Sequence, residues 1–160
     1  MPIIRNRTIV EDGFRTLGAQ DPITDGDIII SLERFREEHE TLAQRSGRTG
    51  VEVPNDVRAE DLLVELATVD LIAIDFPIYR DGRGFSTARL LRRGGFTGEL
   101  RATGNVLRDQ IAFMERCGFD AYQVAEGKSL ERALEGFKDF SVTYQDAIEP
   151  RTAPRTAPRD

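Results

Sequence analysis

The chain is poor in the residues that hold metals and redox cofactors. Its 160 residues include one cysteine, one histidine and no tryptophan. A single cysteine excludes an intramolecular disulfide framework. One cysteine and one histidine also fall short of the cysteine set of an iron–sulfur cluster and of a standard zinc site. We therefore expect no metal site and no cofactor ligated by this chain.

Long apolar runs are also missing. No stretch approaches the roughly 18 apolar residues of a membrane-spanning helix, and Met1–Arg5 lacks the layout of a signal peptide. The net charge of −6 argues against general nucleic-acid binding. The sequence thus predicts a cytoplasmic protein with neither a membrane nor a nucleic acid as its partner.

Lysine is scarce, and the arginines that replace it are clustered. Between residues 80 and 108, seven arginines stand against two acids, a net charge of +5 in a chain whose total is −6. The seven are Arg80, Arg83, Arg89, Arg92, Arg93, Arg101 and Arg108. A positive island in an acidic protein calls for a physical reason, such as an oxyanion or an acidic partner.

Short apolar strands alternate with amphipathic helices along most of the chain. Strands are predicted to start near Asp27, Gly50, Leu71, Glu99 and Ala121. This alternation, at roughly 20–28 residues per unit, predicts an α/β fold with a mainly parallel sheet of about five strands. Five units are too few for a full eight-unit barrel. The options are an open doubly wound sheet, which we favour, and a partial (β/α) barrel.

The two ends of the chain differ from this pattern. Residues 3–10 predict two short strands around Asn6-Arg7, and residues 11–26 are rich in turns. Residues 1–148 are predicted to form one α/β domain, with a last strand at residues 140–144. Residues 149–160 contain R-T-A-P twice and no bulky apolar residue, so we expect a disordered Pro/Arg-rich tail.

Candidate ligand groups gather after the third main strand, where a parallel sheet binds its ligands. Gly82 and Gly84 let backbone N–H groups approach an anion, and Ser86 is predicted to cap the next helix. Arg80 and Arg83 can add bidentate contacts to sulfate, sulfite, phosphate or a partner's carboxylates. The alternative is a tight surface loop whose arginines pair with acids elsewhere in the chain.

Three further residues complete the predicted binding set. Arg101 lies within a strand, where an unpaired charge is costly, so it needs a sheet edge, an acid partner or a ligand. Asn105 is predicted to cap the following helix, and Arg108 to open it. A positive charge there is unfavourable unless it binds an anion or forms a structural pair.

Two acids near the same loop are candidates for catalysis. Asp75 lies near the end of a strand and Asp81 lies in the loop, so they could serve as a base and an orienting group. Asp75 could instead accept hydrogen bonds from the loop or pair with an arginine. The run G-R-G-F-S-T carries Thr87 in place of the third glycine, so it is no dinucleotide-binding fingerprint.

The same region resembles a known family. The runs D-G-R-G-F-S-x-A-R-L-L-R, G-E-L-R-A-T-G-N-V-L-R-D-Q and R-C-G-F-D-A-Y are similar to those of small bacterial proteins of unknown function. Members are often labelled oxidoreductases of sulfite reduction and are commonly encoded beside the sulfite reductase haemoprotein subunit. The resemblance extends from about Asp27 to about Phe140 and is densest between Asp75 and Ala121.

The resemblance implies a pathway, and two hypotheses follow for the function. The first is a non-catalytic accessory of assimilatory sulfite reduction that binds an oxyanion or an acidic partner, such as the haemoprotein subunit, through the arginine-rich loop. The second is a small enzyme acting on an anionic substrate, with Asp75 or Asp81 as the acid/base group and Arg80, Arg83 and Arg101 holding the anion. A partial barrel or an exposed sheet edge would favour a homodimer.

Overall fold

The structure, a computed structural model, describes residues 1–77 and 82–139. The predicted last strand at residues 140–144 and the predicted tail lie outside the described residues. Within them, eight strands form one sheet. The strands are β1 (Pro2–Arg5), β2 (Thr8–Glu11), β3 (Arg15–Thr16), β4 (Ile28–Ser31), β5 (Thr49–Val53), β6 (Leu71–Phe76), β7 (Glu99–Gly104) and β8 (Ala121–Tyr122).

Helices follow most of the parallel strands. Those in the described residues are α1 (Leu32–Glu37), α2 (His39–Ala43), α3 (Ala59–Glu65), α4 (Arg83–Arg93), α5 (Ile111–Cys117) and α6 (Leu130–Asp139). None of these six helices has both the length and the apolar content needed to cross a membrane.

The sheet is largely parallel and curls into a half-barrel. From β3 to β8 the strands lie side by side in chain order, and the β1–β2 hairpin adds to β8 in the antiparallel direction. A doubly wound sheet reverses its strand order at a switch point. Since the order here does not reverse, right-handed crossovers place successive helices on one side of the sheet. The parallel α/β prediction is confirmed, but the sheet is the partial barrel rather than the doubly wound form, with eight strands rather than about five.

The two faces of the sheet carry different residues. The face toward the helices is apolar and belongs to the main core; its members include Ile28, Ile30, Val51, Val53, Ile72, Ile74, Leu100 and Ala102. The alternate residues face the inside of the half-barrel, where Phe14 packs with Ile29, Leu71 and Ala73 in a smaller cluster. The segment between β2 and β3 thus covers part of the concave face.

A buried ion-pair network fixes that segment in place. The Arg101 side chain is fully buried, and its two terminal nitrogens donate to the two carboxylate oxygens of Asp12 at 2.8 and 3.0 Å. Its Nε donates to Glu99 at 2.9 Å, and Glu99 also accepts from Arg5 at 3.0 Å. Burial alone would raise the pKa of Asp12, but the hydrogen bonds from Arg101 and from the Phe14 amide outweigh it and hold that pKa below its usual value.

Helix α4 begins earlier than predicted. It starts at Arg83 with Gly82 at its N-cap, so Ser86 lies inside the helix and does not cap it. The reason is close packing at Gly84, where an added Cβ would lie 2.8 Å from the Phe76 ring. The glycine therefore lets the first turn of the helix lie directly against the end of β6.

Helix α5 begins later than predicted. Its N-cap is Gln110, so Asn105 does not cap it and Arg108 precedes it. The Asn105 amide donates to the carbonyl oxygen of Phe76 at 2.8 Å, which keeps this residue bonded to the neighbouring strand beyond the end of β7.

Replacing Arg101 with methionine should destabilise the protein strongly. The change leaves the carboxylates of Asp12 and Glu99 without their buried counter-charge, which typically lowers the free energy of unfolding by about 3 kcal/mol or more. The matched control is Arg7→Met, because Arg7 pairs with Glu115 at the surface, and an exposed pair contributes less than about 1 kcal/mol. Urea denaturation measures both. Equal losses would mean that the buried network adds nothing beyond a surface pair.

Candidate functional site

The predicted arginine face does not form one surface. Arg101 reaches Asp12 and Glu99, toward the amino end of the concave face and away from the loop that follows β6. Arg108 forms an ion pair with Glu135 of α6 at 3.2 Å. Arg80 and Asp81 lie outside the described residues. Among the described residues, then, Arg101 and Arg108 are paired away from the arginines that α4 carries.

The guanidinium of Arg92 binds backbone carbonyl groups within the protein. It donates to the carbonyl oxygens of Phe96, Gly98 and Gly118 at 2.7–3.0 Å, and it lies 3.4 Å from Asp120. These bonds tie the end of α4 to the loops before β7 and β8. These contacts give Arg92 a structural role.

The predicted loop residues that the structure describes lie at the carboxyl end of β6. Gly82 and Arg83 begin α4 there and are exposed, whereas Gly84 is buried against Phe76. Ser86 is exposed one turn into the helix, so its hydroxyl does not serve the helix start. Close packing against Phe76 explains why residue 84 is a glycine, so this glycine is not evidence for a bound anion.

Asp75 lies at the same edge and points to the concave face. Its neighbours along β6, Ile74 and Phe76, belong to the core on the helix side. Asp75 is exposed. Gly104 of β7 lies close behind it, since a Cβ added there would approach the Asp75 Oδ1 to 2.5 Å. The backbone φ of Gly104 is also +82°, a value that favours glycine.

A second carboxylate, which the sequence analysis missed, lies beside Asp75. Glu52 occupies the same face of β5, because Val51 and Val53 on either side of it point into the core. Strand pairing puts Glu52 level with Ala73, and Asp75 level with Thr103 of β7. Ala73 has a short side chain, so the Glu52 carboxylate can extend over β6 toward Thr103 and Asp75.

Electrostatics sets Glu52 apart from an ordinary surface acid. Burial raises its pKa, the negative charge of Asp75 raises it further, and a hydrogen bond with the Thr103 side chain opposes the shift. The net effect is a raised pKa. A carboxyl group with a raised pKa comes nearer to exchanging its proton at neutral pH, which is what an acid/base group requires.

Glu52 and Asp75 line a cavity of about 590 Å³ at the carboxyl end of the strands. The other lining residues are Ser31, Leu32, Glu33, Arg36, Val53, Pro54 and Val57. The guanidinium of Arg36 is held by both carboxylate oxygens of Glu65. The cavity is largely open to solvent, with a volume comparable to that of small-molecule sites.

The sequence did contain a signal for Glu52. Two successive strands end in the same order of residue types, V-E-V-P at residues 51–54 and I-D-F-P at residues 74–77. In each strand, an acid stands directly before the last apolar residue, and a proline follows that residue. On neighbouring parallel strands such positions share a face and an edge, so this repeat places the two carboxylates together.

The described residues contain no group of three or more histidine, cysteine, aspartate or glutamate side chains that could hold a metal ion. The one cysteine, Cys117, is buried. Burial raises the pKa of its thiol, although the charge of Arg89 opposes this shift. A thiol in that state is a poor nucleophile.

The comparisons with known proteins identify a family, but no individual curated protein or solved structure. The family model described as "Bacterial protein of unknown function (DUF934)" matches residues 50–154. This range includes Glu52, Asp75 and Thr103. Searches of the curated proteins and of the solved structures find no significant match.

Replacing Glu52 with glutamine should stabilise the protein at neutral pH. A folded-state pKa above the unfolded value of about 4.3 means that the native state binds the proton more tightly, so stability falls as pH rises through this window. Glutamine carries no charge, so the variant does not lose stability as the pH rises through this window. Urea denaturation should therefore show a larger free energy of unfolding for Glu52→Gln at pH 7 and no difference near pH 4. The control is Glu60→Gln on the exposed side of α3. A Glu52→Gln protein no more stable than wild type at pH 7 would contradict the raised pKa.

Proposed function

Since this chain belongs to a bacterial family of proteins of unknown function (DUF934), we propose that it is a small acid/base enzyme working alongside assimilatory sulfite reduction. The family resemblance supports the pathway, and the site supports the chemistry. The observation that carries the proposal is the pair of carboxylates, Glu52 and Asp75, on one face of the half-barrel in a cavity of about 590 Å³.

The roles of the two carboxylates follow from their surroundings. Glu52 is the partly buried group with the raised pKa, so it is the proton donor and acceptor. Asp75 is exposed and positioned against Gly104, so it meets the substrate first and orients it. Thr103 is buried; its hydroxyl donates to the carbonyl oxygen of Ile74 at 3.4 Å and also opposes the rise in the pKa of Glu52.

The cavity wall favours a neutral or cationic reacting group. Three carboxylates line it, those of Glu33, Glu52 and Asp75, and Arg36 is already bound to Glu65. Arg101, which we expected to hold an anion, is buried among acid partners elsewhere. A hydroxyl or amine group can hydrogen-bond to such a site, whereas an oxyanion would be repelled. The substrate is therefore a molecule that presents a hydroxyl or amine group to Glu52.

Loss of either carboxylate should abolish function without loss of fold. In a host strain from which this gene is deleted, supplied with sulfite as its only sulfur source, Glu52→Gln and Asp75→Asn should fail to restore the growth that the wild-type gene restores, because a lost acid/base group slows a reaction by about 10²–10⁴-fold. Glu60→Gln, an exposed acid on α3 outside the cavity, should restore growth fully. Circular dichroism and thermal unfolding of each purified variant establish that it is folded. Full growth with both cavity variants would overturn the acid/base proposal.

The second candidate is the accessory function, in which the protein binds the sulfite reductase haemoprotein subunit. The observation that favours it is the composition of α4, which carries four arginines and no acid. An association of this kind is electrostatic, and it weakens as salt screens the charges over about 8–10 Å.

Co-expression with the haemoprotein subunit of the same host tests this candidate. We expect the two proteins to co-purify at low salt and to separate at about 0.5 M salt, where the Debye length falls to about 4 Å. Glu52→Gln should co-purify as well as wild type, which distinguishes docking from catalysis. Separation at every salt concentration would remove the accessory candidate and leave the acid/base site unaffected.

A further inference from the structure

The outward sides of α4 and α5 carry an unusual surface. Ser86, Arg89, Leu90 and Arg93 recur at helical spacing on α4, and all four are exposed. Phe113 of α5 lies beside them with 37% of its surface exposed, and Leu90 is 40% exposed. We call these five residues the α4–α5 face.

The charge of the α4–α5 face is of one sign. Helix α4 contains no acid. Helix α5 contains Glu115, which is paired with Arg7 of the β1–β2 turn at 2.7 Å. Since the whole chain has a net charge of −6, the excess of positive charge on α4 is a local property.

The aromatic part of the face is held in place. The Phe113 ring packs against Phe85 with 5.0 Å between centroids, and the Arg89 guanidinium lies 5.9 Å from the Phe113 centroid. Arg89 also donates to the Cys117 sulfur at 3.4 Å. Side chains fixed before binding lose less conformational freedom when a partner arrives. Arginine and aromatic residues are also the types most enriched where proteins bind one another.

We propose that the α4–α5 face docks an acidic segment of a partner protein, with carboxylates on Arg89 and Arg93 and an apolar side chain on Phe113. Charge complementarity selects an acidic occupant. The chain's net charge of −6 repels a long polyanion such as nucleic acid, whereas a short acidic segment touches only the positive patch. The proposal is independent of the acid/base site and gives the accessory candidate a defined surface.

A designed peptide is a suitable probe. It is a 20-residue helix with glutamate on one face and leucine at every third or fourth position of the other, carrying a fluorescent label. Fluorescence anisotropy should show binding at about 20 mM salt that weakens by about tenfold or more at 0.3 M. Amide shifts in the NMR spectrum should be confined to α4 and α5. Shifts spread over the molecule, or centred on another element, would overturn the proposal.

Matched variants separate this face from general charge attraction. Arg93→Glu and Phe113→Ser should each weaken peptide binding by about fivefold or more. Arg58→Glu and Val64→Ser alter an exposed arginine and an exposed apolar residue of the α3 region, and should leave affinity within about twofold. Because Arg93 is exposed, its variant tests the proposal even where Phe113→Ser fails to fold.

Two further outcomes complete the test. Glu52→Gln should bind the peptide like wild type, so a failed acid/base site and a failed docking face remain distinguishable. A duplex DNA long enough to extend beyond the α4–α5 face should bind more weakly than the peptide. Tighter binding of the DNA, or equal loss in the control and the face variants, would overturn the proposal.

Discussion

The buried guanidinium of Arg101 is the interaction on which the half-barrel depends. A charge that is fully buried must be neutralised, and Asp12 and Glu99 do this from two directions. Asp12 lies between β2 and β3, so its bonds to β7 draw the N-terminal segment across the concave face. That segment brings Phe14 onto Ile29, Leu71 and Ala73. One ion-pair network thus determines which part of the concave face is closed.

The other half of the same face stays open, and its carboxylates differ from those of the buried network. At the amino end every carboxylate of the network has an arginine partner. At the carboxyl end, Glu52 and Asp75 lie together, and burial and the charge of Asp75 raise the pKa of Glu52. Chain-order topology produces this arrangement, because neighbouring parallel strands deliver their last residues to one edge. The fold therefore separates a structural ion-pair network from the two carboxylates of the candidate site on a single surface.

Local patterns predicted the main strands well, since most of them contain a short apolar run. The five main strand starts fall within one residue of β4 to β8, and the turn at Asn6 and Arg7 forms the hairpin. β3 was not predicted, because its two residues, Arg15 and Thr16, are polar and exposed and lie in a turn-rich segment. Long-range pairing was also beyond reach: Arg101 finds Asp12 at a separation of 89 residues, and no local pattern encodes that contact. Asp75 was a predicted site residue, whereas Glu52 required the two strand endings to be compared.

The acids near the ends of β5 and β6 argue for a function because the fold does not need a carboxylate at either position. Like charges on adjacent strands destabilise a sheet, and a partly buried carboxylate adds a desolvation penalty. An apolar or hydroxyl residue at position 52, above the small side chain of Ala73, would continue the concave face without either penalty. Chains that contradict their own local energetics usually do so where they bind or react. Glu52 is such a residue. Burying the charge of Arg101 would be equally unfavourable without partners, but its acid partners neutralise that charge. The distinction between these two residues separates the candidate site from the scaffold that supports it.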